Sequence, residues 1–204
     1  MGRSLDPRNV FTAMHQQVTA ELLHLMDGFY SNMEDGLFEL AFRDDDEAKQ
    51  RHCFDLMREM RYRRTNLIQT FAKRMQRGVS DWFYQPPNVS NKPCDEFKAE
   101  AAAMAEKCES HFHLLLQSIA QRAAYGTGQG TPAEELPIGP SRIAHCFLLS
   151  CRSLKFDANS IATVQELFER FILDRLGSVY GQCNQRLERA GYPTARETDL
   201  ASSA

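Results

Sequence analysis

No CxxC pair, no apolar run near the roughly 18 residues that cross a bilayer, no period-two alternation and no basic surplus occur in this chain of 204 residues. Each gap excludes a class of protein. Without CxxC pairs, the six cysteines (Cys53, Cys94, Cys108, Cys146, Cys151 and Cys183) read as free thiols, small core residues of a reducing compartment. Without a long apolar run, and with no signal-type apolar core in Met1 to Arg8, the chain is expected in the cytoplasm with no membrane partner. A net charge of −3 argues against general nucleic-acid binding, which needs cations to neutralise phosphates. With no alternating window, strands are not expected.

What the chain does have is apolar bulk: 43% hydrophobic residues, among them thirteen Phe and eight Met. That suffices for one domain with a packed core. Asp6-Pro7 opens a first helix as N-cap and N1. Val10, Met14, Val18, Leu22, Leu25 and Phe29 then recur in steps of three and four. Ser31-Asn32 suggests a break before a short second helix carrying Leu37, Phe38, Ala41 and Phe42. The acids Asp44-Asp45-Asp46-Glu47 lack the glycine and distal Glu of a calcium loop, and read as the capped start of a third helix. That helix runs from about Glu47 to Arg77 and gathers Cys53, Leu56, Met57, Met60, Leu67, Phe71 and Met75 on one face, with Arg64 inside the stripe.

Pro- and Asn-rich residues 85–93 form a first flexible connection, anchored by Trp82, Phe83 and Tyr84. A fourth helix, about Cys94 to Ala124, carries a seam of Phe97, Ala101, Met104, Cys108, Phe112, Leu115 and Ile119. Tyr125 to Leu136 reads as a second flexible connection, and Gly139-Pro140 starts a fifth helix. A sixth extends from Asp157 or Asn159 past Leu187 and is closed by Gly191 and Pro193. The expected architecture is an all-α single-domain bundle of about six helices over residues 1–193, followed by a flexible tail, 194–204.

Three blocks resemble a bacterial family classed as a domain of unknown function, whose larger members are sometimes labelled thymidine phosphorylase. The first is Gly36-Leu37-Phe38-Glu39-Leu40-Ala41 with Phe54-Asp55-Leu56-Met57-Arg58-Glu59-Met60-Arg61; the second is Pro137-Ile138-Gly139-Pro140. The third is Leu167-Phe168-Glu169-Arg170-Phe171-Ile172-Leu173 with Leu176-Gly177, Tyr180, Asn184, Leu187 and Ala190-Gly191. The chain departs from the family pattern at residues 91–97, where an acidic stretch is replaced by Asn91-Lys92-Pro93-Cys94-Asp95-Glu96-Phe97. The resemblance implies a helical fold and a bacterial cytoplasm and carries no activity. The thymidine phosphorylase label finds no support in the residues: Gly126, Gly128 and Gly130 follow no strand and precede no Lys-Ser/Thr.

Candidate sites are sparse. Cys108 and His111 share a helical face, and His145-Cys146 on the next helix could complete a set, but no zinc-type spacing occurs and no metal or cofactor is expected. Cys53 follows His52, yet adjacent helical residues point apart, so Cys53 reads as a core thiol. No catalytic residue is assigned and an enzyme is not expected. Arg64, on an apolar face, must be paired; Asp35 or Glu39 on the second helix, or Asp55, is its expected partner, and the pairing is expected to lock the second and third helices together. With Arg61 it is also the candidate anion ligand. Gly177 and Gly181 would let another helix approach closely, either within the chain or in a homodimer. The expected function is a non-enzymatic regulatory or adaptor role through protein–protein contact, using Trp82-Phe83-Tyr84 or an exposed helix groove. The alternative is an anionic-nucleotide sensor with an interhelical pocket.

Overall fold

The computed structural model describes residues 6–43, 46–83, 96–152, 154 and 158–202. It is an all-α bundle, with no strand among the described residues. Its helices are α1 (Pro7–Phe42), α2 (Glu47–Arg77), α3 (Lys98–His111), α4 (His113–Thr127), α5 (Pro140–Cys151), α6 (Ala158–Phe171), α7 (Gly177–Arg189) and α8 (Ala195–Ser202).

Asp6 caps α1 by accepting from Arg8 N at 3.1 Å, with Pro7 at the first position. The expected break at Ser31-Asn32 does not occur. Ser31 Oγ donates to Asp27 O and Asn32 Nδ2 to Gly28 O, each bond lying one turn back along the same helix. Both polar side chains are thereby satisfied without interrupting α1. The expected first and second helices are therefore one continuous rod. Asp46 caps α2 through Ala48 N and Lys49 N, and Gly78 ends it, so the expected bounds Glu47 to Arg77 hold.

The expected fourth helix is two. Phe112, at φ −103° and ψ 16°, separates α3 from α4, and the buried face shifts there from the expected Leu115 to Leu116, with Ile119, Ala120 and Ala123. The expected sixth helix is likewise divided, by a 3-10 turn at Leu173–Arg175, into α6 and α7. The second connection is tied down rather than loose at its end: Leu136 and Ile138 are fully buried, and the Tyr180 hydroxyl donates to Ile138 O at 3.1 Å. The first connection, residues 85–93, lies outside the described residues. Where the sequence suggested a frayed tail, α8 forms. Thr194 N donates to Glu197 Oε2 and Glu197 N to Thr194 Oγ1, a reciprocal capping box. Glu197 also accepts from the buried Arg122 at 2.8 Å.

The α1–α2 pair is the longest contact, antiparallel; α5 packs on α2 and α3, and α7 on α4. In the centre, Phe29 meets Phe147 and Phe168 edge-on, and the last two stack at 3.8 Å. Edge-to-face and offset aromatic contacts of this kind add to the area burial that holds the helices together.

Candidate functional site

The arginines singled out from sequence lie along one seam of the α1–α2 hairpin. Arg64 Nη2 donates to Asp27 Oδ1 at 2.8 Å, and its guanidinium lies over the Tyr30 ring, 5.5 Å from the centroid. Three residues earlier on α2, Arg61 Nε donates to Glu34 Oε1 at 2.9 Å and Arg61 Nη2 approaches Glu34 Oε2 at 2.6 Å, a two-point grip. The grip holds Arg61 charged, raising its pKa above the ordinary value.

This corrects the expected partners of Arg64. Because α1 is continuous, its antiparallel register sets Asp27, rather than Asp35 or Glu39, opposite Arg64; Glu39 faces Arg170 and Asp55 pairs with Arg58. Arg64 also sits at the edge of the apolar stripe, its side chain 41% exposed. The arginine is paired, but at a wet boundary.

Trp82 does not form part of an exposed surface. It is 2% exposed, packed 5.1 Å from Phe11, and its Nε1–H donates to His15 Nδ1 at 3.1 Å. His15 Nε2–H in turn donates to Met75 O at 2.8 Å, which fixes the neutral tautomer. Burial depresses the His15 pKa. Phe83 is half-buried against Phe11, with Arg8 over its ring. Tyr84 lies outside the described residues. The Trp82-Phe83 pair therefore packs into the core, and an indole already hydrogen-bonded and buried offers a partner nothing.

Gly177 serves close packing inside the chain: a Cβ there would meet Phe112 Cε1 at 2.8 Å. Gly181 faces open space, with nothing within 4 Å of an added Cβ. The two glycines do not form one packing face.

The cysteines of the described residues are unpaired, and Cys53, Cys108, Cys146 and Cys183 are buried. Burial pushes the thiols of Cys108, Cys151 and Cys183 up to about 12, the reverse of thiolate activation. Cys108 donates to Leu173 O, while the His145 ring bonds Glu96 O at 2.9 Å. Among the described residues no group of three or more His, Cys, Asp or Glu gathers to hold a metal ion. His52, beside Cys53, contacts Ser160 Oγ at 3.3 Å.

The most prominent exposed apolar feature is one the sequence reading placed with the helix rather than on the surface. Phe38 and Phe42, one turn apart near the end of α1, have ring centroids 4.5 Å apart; Phe42 and Phe54 of α2 are 6.3 Å apart. These three rings are 52%, 56% and 43% exposed. Leu37 and Ala41, their neighbours on the same turns, are buried, so the hairpin tip is apolar on two sides. The signal for this was the apolar run at Leu37, Phe38, Ala41 and Phe42, too broad for one buried stripe.

On the other side of the tip, a cleft of about 680 Å³ is lined by Leu40, Arg43, Lys49, His52, Cys53 and Glu166 among others. No helix among the described residues is long and apolar enough to cross a membrane.

The family described as "Protein of unknown function (DUF1631) N-terminal domain" matches residues 6–191. No curated protein and no solved structure matches. The family match reaches from the Asp6 cap of α1 to Gly191 behind α7, taking in the arginine seam, the buried Trp82 and the aromatic tip alike. The chain belongs to the DUF1631 N-terminal domain family.

Proposed function

We propose that this protein is a non-enzymatic regulatory or adaptor protein of the bacterial cytoplasm that acts by binding another protein. One observation carries this reading: the exposed aromatic tip of Phe38, Phe42 and Phe54. A contiguous exposed apolar patch costs solubility, and such patches with polar rims mark interaction surfaces. Aromatic rings are the side chains enriched at the centres of interfaces.

The rim suggests the partner's chemistry. Arg43 directly follows Phe42 and Arg51 lies three residues before Phe54 on α2, and among the described residues neither has a carboxylate within 4.0 Å. A partner presenting apolar side chains flanked by acids complements that arrangement. Unpaired thiols in the described residues suit a reducing compartment. Anion sensing through Arg61 and Arg64 has less to support it, since Glu34 and Asp27 already occupy both guanidinium groups.

The test compares capture of partners from native lysate by the wild-type chain and by Phe42→Ser/Phe54→Ser. The proposal expects a stoichiometric protein held by the first and lost by the second, with equal helical content. Identical captures, or self-association as the sole tip-dependent interaction, would overturn it.

A further inference from the structure

We infer that the groove between α1 and α7, at the end of the molecule away from the aromatic tip, binds a small carboxylate- or phosphate-bearing molecule through Arg186 and Arg189. On α7, Gln182, Gln185, Arg186 and Arg189 fall at intervals that keep them on one helical face. Across the gap, α1 presents Asn9 and Gln17, about two turns apart. Together they line a groove of about 540 Å³ whose apolar lining is only Val10 and Ala190.

The groove is open to solvent, with Asn9, Gln182, Gln185 and Arg189 exposed and Gln17 and Arg186 half-buried. Here the polar groups are arranged as donors. Arg186 Nη1 donates to Gln17 Oε1 at 2.7 Å, and Gln17 Nε2 donates onward to Gln182 Oε1 at 2.9 Å. This ladder fixes Arg186 in orientation with a neutral partner, so the guanidinium keeps its positive charge and most of its N–H groups.

Several other arginines are neutralised by an acid. Arg61, Arg64, Arg122 and Arg142 each lie within 4.0 Å of a carboxylate, whereas among the described residues Arg186 and Arg189 have none. The groove thus gathers two guanidinium groups and four side-chain amides, with no acidic side chain in its lining. A planar guanidinium fits the two oxygens of a carboxylate or phosphate. Amides supply donors and acceptors for the remainder of a polar ligand, and the volume is in the range of small-molecule sites.

The inference stands apart from the docking role, since Gln17 and Phe38 are about 30 Å apart along α1. The experiment titrates the ¹⁵N-labelled chain with inorganic phosphate, succinate and adenosine monophosphate at constant ionic strength. Saturable shifts of the Gln17, Gln182 and Gln185 side-chain amides are expected below about 10 mM. Arg186→Gln/Arg189→Gln weakens the effective ligand about tenfold or more, while Arg61→Gln/Arg64→Gln leaves it unchanged. Phosphate and adenosine monophosphate acting without succinate identify a phosphoryl group, and the reverse a carboxylate. Groove amides that do not move with any of the three would overturn the inference, whether or not the double variant folds. So would shifts that persist unchanged in Arg186→Gln/Arg189→Gln.

Discussion

Arg64 and Asp27 meet at 2.8 Å across 37 positions of sequence, and the bond records the register of the α1–α2 hairpin. Its energetic weight follows from where it lies. Both side chains are substantially exposed, at 41% and 64%, so water competes for each charge. Pairs of this kind contribute about 0–1 kcal/mol.

Arg64→Met therefore shifts the melting temperature by no more than about 4 °C, since 1 kcal/mol corresponds to about 2–4 °C in a domain of this size. Calorimetry of the purified variant checks this. A loss of 10 °C would show the pair to be a structural lock of the strength the apolar stripe first suggested.

The two glycines of α7 part company under substitution. Gly177→Ala drives a methyl group into the Phe112 ring, 2.8 Å from the new carbon, and is expected to destabilise by about 1–3 kcal/mol. Gly181→Ala meets nothing within 4 Å and replaces a flexible residue inside a helix, so it is expected to stabilise by about 0.5–1 kcal/mol. Denaturant unfolding of both variants reads the opposite signs directly. Equal effects would contradict the Phe112 contact.

Acid weakens the fold through His15. Its folded-state pKa lies below the ordinary 6.5 because burial disfavours the imidazolium, with the Met75 carbonyl and Asp81 acting against that shift and Arg142 with it. Above 6.5 the ring is neutral in both states and the stability is fully present. As pH falls below 6.5 the unfolded chain takes up a proton that the folded chain refuses, and stability declines toward the depressed folded value. Once charged, both ring nitrogens carry protons, and the bond from Trp82 Nε1 is lost. The measurement is melting temperature between about pH 7 and pH 5 for wild type and His15→Gln. The wild-type decline should be the steeper; parallel curves would remove His15 from the account.

Helix bounds were legible where a cap announced them. Asp46 and Gly78 bracket α2, and Pro140 opens α5. Breaks without such signals were not legible. Phe112 lies in an unbroken 4-3-4-4-3-4 seam, and only its packing against Gly177 shows why the chain turns there. Ser31 and Asn32 misled for the converse reason: bonding their own helix, they left it intact. The Thr194–Glu197 capping box was present as a Thr-x-x-Glu spacing, but its worth depends on Arg122, about 70 positions away, reaching Glu197 and Tyr192 O. Candidate sites were least legible. Exposure of Phe38, Phe42 and Phe54 depends on which helices leave the hairpin tip uncovered, which the spacing of apolar residues along α1 and α2 does not state.

The docking role is tested most directly by titrating the captured partner against the wild-type chain and Phe42→Ser/Phe54→Ser in a calorimeter. The account predicts an affinity lower by about tenfold or more in the variant, with a melting temperature within about 8 °C of wild type because each removed ring is already about half exposed. Undiminished affinity in a folded variant would contradict it.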